Sequence, residues 1–191
     1  MPHTKLYPLV FAILCLLSSA CRNSESGGKN SNTTLKSAPV DTPGSKMTPS
    51  KTIAENISND SAFAMLSASL KTTNLYDMLS KPGPFTFFAP RNIAFTKLPD
   101  GMLEGLINDR KNDLANILSH HIVAGLIPNG ELTQSQKLKT VAGEELIVTE
   151  RNNEIIINGV KINSHGIQAK NGMVYIIDDL FFPINQTPGA Y

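Results

Sequence analysis

The spacing of the apolar residues changes once along this chain, near residue 120, and this change constrains the fold more than any other feature. Before it, apolar residues recur at helical intervals, as Phe63, Leu66 and Leu70 do. After it, short runs rich in Ile, Val and aromatic residues predominate, as in 145–150 and 173–183. Helices followed by strands, with no alternating βαβ rhythm and no internal repeat, predict an α+β domain.

Short polar signals mark where the helices begin. The sequence TIAE predicts a capping box, in which Thr52 accepts from a backbone N–H and Glu55 reaches back to the start of the helix. Asp60 is expected to cap a second helix. Asn92 is expected to cap a turn, Asp100 to cap a helix, and Asp109 or Asp113 to open another helix.

Asparagine pairs separate the β-like runs of the second half. The run HHIVAG opens this region, and Asn152-Asn153 and Asn158-Gly159 lie between the later runs. Asn-Gly between two such runs is a strong signal for a two-residue hairpin turn. The second half is therefore predicted to form antiparallel strands joined by hairpins.

The front end resembles the export signal of a bacterial lipoprotein. Lys5 precedes an apolar run over 9–17, which is well short of the ~20 residues that a membrane-spanning helix needs. Small residues then lead to Cys21, although Ser18 occupies the place where lipoproteins usually have leucine. The resemblance implies cleavage before Cys21 and its lipidation. The alternative is an ordinary secretory signal, 1–20, whose removal leaves a free thiol.

Cysteine usage agrees with export of a domain without disulfides. Cys15 lies in the apolar run and is expected to leave with the signal, so Cys21 remains as the last thiol. No disulfide within the chain is then possible. The expected location is the bacterial cell envelope, as a membrane-anchored lipoprotein of the outer membrane or cell surface.

Composition divides the remaining chain into a stalk, a domain and a tail. Residues 21–50 are mostly Ser, Asn, Thr, Gly, Pro and Lys, which cannot bury enough apolar surface to offset the entropy cost of ordering. We expect a flexible stalk over 21–50, a folded domain over 51–184 and a short tail over 185–191. The domain has an ordinary single-domain size.

The charge balance argues against binding nucleic acid. Loss of residues 1–20 would remove one of the 17 basic residues and none of the 16 acidic ones, leaving a neutral chain. Nucleic-acid-binding domains usually carry a basic face. Contact with the membrane is therefore expected through the lipid anchor only.

No catalytic or metal-binding pattern is found. The chain has no phosphate-binding glycine loop, nucleophile elbow or paired cysteine motif. His120 and His121 are adjacent, so on a strand they would point to opposite faces, one to the core and one outward. A metal site built from His121, His165 and Asp178 has no supporting local spacing. Asp178 and Asp179 would also diverge, one bonding to the backbone and one facing solvent. We predict no enzyme, cofactor or metal site.

Three stretches, in order, resemble the fasciclin (FAS1) domain family. They are GPFTFFAPRNIAFTKLP at 83–99, ILSHHIVAG at 117–125 and NGMVYIIDDLFFP at 171–183. The second matches the family's Tyr-His motif with His121 at the histidine and His120 in place of the tyrosine. The third has Tyr175 where histidine is commoner. The resemblance implies a wedge-shaped fold in which N-terminal helices pack on a twisted antiparallel β-sandwich.

The resemblance also implies an extracellular role in adhesion or protein binding, without catalysis. Expected contacts lie in the Tyr-His strand and before the third stretch: His120, His121, Ile122, Val123 and Ile167. Gly166 precedes Ile167 where integrin-binding animal members carry an aspartate, so an integrin-type contact is not expected.

Three functional hypotheses follow. The first is adhesion, or binding to another protein or to a matrix or glycan component. The second is a carrier with a groove for a small apolar ligand between helices and sheet. The third is a hydrolase using His121, which lacks a nucleophile. Neither the partner's identity nor the oligomeric state follows from the sequence.

Overall fold

A computed structural model describes residues 47–133, 135–163 and 165–183. The predicted signal peptide, Cys21, most of the stalk and the tail lie outside these residues. The helices are α1 (Ile53–Ser58), α2 (Ala64–Thr72), α3 (Leu75–Ser80), α4 (Asn92–Thr96), α5 (Met102–Asn108) and α6 (Lys111–Ser119), with a 3₁₀ turn at Ser61–Phe63. The strands are β1 (Phe85–Pro90), β2 (Ile122–Ala124), β3 (Lys137–Lys139), β4 (Glu145–Arg151), β5 (Glu154–Ile157), β6 (Val160–Lys161), β7 (Ile167–Ala169) and β8 (Gly172–Ile177).

The two caps expected at the start of the domain are confirmed. Glu55 donates its N–H to the Thr52 hydroxyl at 3.3 Å, and the Thr52 N–H donates to the Glu55 carboxylate at 2.7 Å. The Asp60 carboxylate accepts from the Ala62 N–H at 3.0 Å. These bonds satisfy N–H groups that have no partner within the helix.

The caps predicted for the later helices, at Asn92, Asp100 and Asp109 or Asp113, are wrong. The residues before α4, α5 and α6 are Arg91, Gly101 and Arg110, and none makes a side-chain cap bond. Gly101 has a φ of 78°, which glycine adopts without strain. Asn92 instead accepts from the Met65 N–H at 3.0 Å and donates to a carbonyl of the 3₁₀ turn, so it ties α4 to α2.

The strands form two four-stranded sheets, ordered β2-β1-β8-β7 and β3-β4-β5-β6. All pairs are antiparallel except β1 and β8, which run parallel with Phe85 opposite Gly172. The predicted α+β class, with helices packed on mainly antiparallel sheets, is confirmed, and among the described strands only the central pair of β1 and β8 departs from the antiparallel arrangement. Parallel strands are usually covered on both faces and read as continuous apolar runs, as FTFFAP and GMVYII do.

Backbone contacts join the two sheets at both sides. Val123 bridges Thr140 between β2 and the end of β3, and Ile162 bridges Ile177 between the end of β6 and β8. The Asn163 N–H also donates to the Ile176 carbonyl at 3.0 Å. The two sheets thus enclose a small barrel-like interior.

The two asparagine turns form as predicted. Asn152 and Asn153 connect β4 to β5 with φ values of 53° and 63°, and Asn158 and Gly159 connect β5 to β6 with 48° and 85°. Two consecutive positive φ angles are the geometry of the type I′ hairpin turn.

Two apolar cores lie on either side of the first sheet. Phe87 on β1 faces the core shared with the helices, whereas its neighbour Phe88 faces the interior between the sheets. Phe88 stacks on Tyr175 at 5.6 Å between ring centroids and meets Phe181 edge-on at 5.7 Å. Fully burying one such side chain contributes about 1.5–3 kcal/mol.

Within the described ranges, no helix has the length and apolar character needed to cross a membrane.

Candidate functional site

The two adjacent histidines form a buried corner at the end of α6. Each Nδ1 lies 2.8 Å from the carbonyl four residues earlier, Asn116 for His120 and Ile117 for His121. Their exposed fractions are 2% and 0%. The prediction that they sit on a strand with one facing outward is wrong, because helical hydrogen bonding continues to His121 and β2 begins only at Ile122.

His121 links α6 to the segment after β8 and is neutral. Its Nδ1 donates to the Ile117 carbonyl, so its Nε2 has a free lone pair and accepts from the Phe181 N–H at 3.0 Å. The ring also stacks on the Phe181 ring at 4.8 Å. Burial lowers the pKa of His121 to about 4. Both nitrogens are therefore occupied, which leaves none to act as the base of a hydrolase.

His120 faces a carboxylate. Its Nε2 lies 3.1 Å from a Glu144 carboxylate oxygen, but the groups are not aligned and Nε2 has no hydrogen-bond partner within the described parts of the chain. Because the Asn116 carbonyl takes the Nδ1 proton, this contact is an ion pair only when the ring carries a second proton. His120 thus lies beside the turn between β3 and β4.

A pH dependence follows from His121. Its pKa is about 6.5 when unfolded and about 4 when folded, so the unfolded chain binds more protons between these values. The contribution of neutral His121 to stability is complete above about pH 6.5 and is lost as the pH falls to 4. We expect the free energy of unfolding to decrease by about 3 kcal/mol from this group. Urea denaturation at pH 7.5 and 4.5 measures it, and His121→Phe should flatten the slope. Equal slopes in both proteins would contradict this origin.

The remaining predicted contacts are mostly inaccessible. Ile122 and Val123 are buried, Ile122 in the helix-side core and Val123 in the interior between the sheets. Ile167, which pairs with Val174, is half-buried and reaches solvent. Of the five residues predicted as partner contacts, four are therefore covered in this conformation.

The acidic pair after β8 forms two ion pairs. Asp178 accepts two bonds from the Arg91 guanidinium, at 2.7 and 2.8 Å, and Asp179 accepts from Lys97 at 2.8 Å. The prediction that one aspartate bonds to the backbone and the other faces solvent is wrong. Both pair with basic residues that flank α4, and these partners are distant in sequence, so no local pattern indicates them. Among the described residues, no three His, Cys, Asp or Glu side chains are grouped to hold a metal ion.

The outer surface of the second sheet carries exposed apolar side chains. We call it the outer face, and it comprises Lys137, Ile147, Thr149, Ile156 and Lys161. Ile147 is 50% exposed, and Ile156 is half-buried on the neighbouring strand. The alternation in ELIVTE contains this signal, since Leu146 and Val148 point inward and place Ile147 outside. No contact surface was predicted here from the sequence.

Two clefts of about 400 Å³ each open to solvent. The first, the pole cleft, is lined by Thr52, by Ser80 to Pro84, by Leu126 and by Gln168 to Gly172. The second, the mouth cleft, is lined by Asn129, Gly130, Leu132, Asn153, Glu154, Ile155, Lys161, Ile162, Asn163, His165 and Tyr175. Apolar side chains of the helix-side core fill the space between helices and sheet that the carrier hypothesis requires.

The model of the fasciclin domain matches residues 61–183. The chain belongs to the fasciclin domain family. The protein sll1483 of Synechocystis is 35% identical over 133 residues, which cover 69% of this chain and 73% of that protein. The cell surface glycolipoprotein MPB83 of Mycobacterium bovis is 30% identical over 136 residues, covering 69% and 60%.

A solved fasciclin domain pair supports the fold. It comes from the insect cell adhesion molecule fasciclin I and superposes with a TM-score of 0.63 at 19% identity, covering 71% of this chain and 52% of that one. This fasciclin domain therefore spans about half of the solved pair. It spans between 6% and 20% of animal relatives such as stabilin-1 of Homo sapiens and transforming growth factor-beta-induced protein ig-h3 of Oryctolagus cuniculus.

Proposed function

We propose that this chain is a lipid-anchored protein of the cell envelope whose fasciclin domain binds another protein or a matrix component without catalysis. Membership of the fasciclin family is the observation that carries this proposal. Its relatives include a cell surface glycolipoprotein, and the solved domain pair belongs to a cell adhesion molecule. The proposed organisation is a signal peptide over 1–20, a stalk over 21–50, the domain over 51–184 and a tail over 185–191.

The outer face is the proposed contact surface. Ile147 and Ile156 lie diagonally across β4 and β5, with Lys137 directly opposite Ile147 and Lys161 opposite Ile156. An apolar centre with a charged rim is the arrangement of many protein interfaces. Specific recognition buries roughly 1,200–2,000 Å² in total, so the partner must also contact neighbouring surface.

The histidine corner has a supporting role in this proposal. His121 fixes the end of α6 against the segment after β8, His120 lies buried beside the β3–β4 turn, and Ile122 and Val123 fill the two cores. These four residues hold the sheets in place rather than touching a partner, whereas Ile167 remains available for contact.

Weaker attachment is the expected result of changing the outer face. We expect the double substitution Ile147→Thr and Ile156→Thr to weaken binding to cells or matrix about tenfold or more, because apolar anchors at an interface centre carry much of the affinity. Threonine keeps the β-branched shape that strands favour, so the melting temperature should change little. Attachment of protein-coated beads measures the effect.

The matched control is Ile93→Thr on α4, where the isoleucine is 44% exposed. It should leave attachment unchanged. Full attachment of the double variant, with folding intact, would contradict the role of the outer face.

The anchor is tested separately. We expect mass spectrometry of the mature protein to find an acylated Cys21 at its N-terminus, and Cys21→Ser to move the protein from the membrane to the soluble fraction. Two or more acyl chains anchor stably, because each buried methylene contributes about 0.8 kcal/mol. An unmodified thiol would support the ordinary secretory signal instead.

A further inference from the structure

The mouth cleft lies at one end of the interior between the sheets. The segment that follows β2, the turn between β4 and β5 and the residues after β6 meet there. Its volume of about 400 Å³ falls within the roughly 300–1,000 Å³ of small-ligand sites, which recur at the mouths of β-barrels.

The floor of the mouth cleft is apolar. Leu132 and Tyr175 are buried, and Ile155 and Ile162 are half-buried. The Tyr175 hydroxyl donates to the Ile127 carbonyl at 3.0 Å, which fixes the ring in place. An apolar floor of this kind suits a ligand with a C–H face.

The rim of the mouth cleft offers polar groups that are not otherwise engaged. Asn153, Asn163 and His165 are exposed, and their side chains make no hydrogen bond within the described parts of the chain. Asn129 exchanges two bonds with the Gly166 backbone and so holds one wall of the rim in position. Two amides and an imidazole provide both donors and acceptors.

The charges at the mouth cleft cancel. Glu154 and Lys161 both line it and form an ion pair with each other. A free carboxylate or phosphate ligand would have to compete with Glu154 for this lysine. The site therefore favours a ligand that is uncharged and rich in hydroxyl groups.

We propose that the mouth cleft binds a terminal uncharged sugar unit of a glycan. The C–H face of the sugar packs on Ile155 and Ile162, and its hydroxyls bond to Asn163 and His165. This inference deepens the proposed function by naming the class of matrix partner. It rests on the proposed function in one respect, namely that the domain lies outside the cell, where it can meet a glycan.

Direct binding of simple glycosides tests the proposal. Saturation-transfer NMR on the full chain uses methyl glycosides of glucose, galactose, mannose and N-acetylglucosamine, with glucuronic acid as the charged probe. We expect at least one uncharged glycoside to bind and glucuronic acid to bind more weakly. The substitutions Asn163→Ala and His165→Ala together should weaken binding about tenfold or more, because two hydrogen bonds are lost.

The matched control is Gln168→Ala, which changes an exposed amide in the pole cleft. It should leave glycoside binding unchanged, and all variants should keep the melting temperature. The proposal is overturned if no uncharged glycoside binds, if glucuronic acid binds equally well, or if the rim variant binds as the unchanged chain does.

The attachment assay separates this proposal from the proposed function. If attachment depends on Ile147 but no glycoside binds, the sugar site is wrong and the binding function stands. If glycosides bind through Asn163 and His165 but coated beads do not attach, the sugar site stands and the adhesive role is wrong.

Discussion

Gly172→Ala is expected to destabilise the domain by more than about 4 kcal/mol, or to prevent folding. Gly172 opens β8 directly opposite Phe85 of β1. A Cβ there would overlap the Phe85 carbonyl oxygen and lie 2.8 Å from the carbonyl carbon. Both atoms belong to the backbone of the central strand pair, so relief requires the strands to separate. Thermal unfolding followed by circular dichroism measures the loss.

Gly105→Ala is the control for this change. Gly105 lies inside α5, and the nearest atom to its added Cβ is an Arg110 guanidinium nitrogen at 3.6 Å, an ordinary contact. Alanine in a helix is more stable than glycine by about 0.5–1 kcal/mol. Replacement of glycine by alanine should thus raise the free energy of unfolding at position 105 and lower it severely at position 172. A mild effect at 172 would show that β1 and β8 are not paired as described.

Asn171→Ala is expected to cost about 4 kcal/mol of unfolding free energy, because two buried backbone groups and one partly buried backbone group lose their partner. The Asn171 carbonyl oxygen accepts from the Ile53 N–H at 2.9 Å, and its amide donates to the carbonyls of Leu79 at 2.8 Å and Lys81 at 2.7 Å. One side chain therefore joins the first turn of α1, the end of α3 and the β7–β8 hairpin. Urea denaturation gives the free energy.

Asn108→Ala provides the comparison for Asn171. Asn108 is the exposed last residue of α5, and its replacement should change stability by less than about 0.5 kcal/mol. Aspartate at 171 should be nearly as damaging as alanine, because it keeps the acceptor for Ile53 but places a carboxylate against two carbonyls. Equal stability of the Asn171 and Asn108 variants would contradict the three-way contact.

Local signals in the sequence predicted the local structure well. Thr52 and Asp60 cap as expected because their partners lie two or three residues away, within reach of the side chain. The turns at Asn152 and Asn158 form because asparagine and glycine tolerate positive φ angles. The three fasciclin-like stretches also predicted the family correctly, since each carries several constrained positions.

Features set by distant partners were not predicted. The parallel pairing of β1 with β8 was not predicted, because their continuous apolar runs indicate strands covered on both faces but do not identify the neighbouring strand. His120 and His121 were predicted to begin a strand, yet hydrogen bonds of helical type continue past the end of α6 as far as His121. Asp178 and Asp179 find Arg91 and Lys97 only because the central sheet brings α4 beside the end of β8.

The parallel pairing at the centre of the first sheet also affects when the domain can fold. As the chain grows from the ribosome, β1 is made well before its neighbour β8, because helices α4 to α6 and strands β2 to β7 separate the two along the described chain. Pairing between segments so far apart in sequence slows folding, because a long loop must close first. Until β8 has been made, Phe87 and Phe88 lack this neighbouring strand, and apolar strands exposed in this way are prone to aggregate.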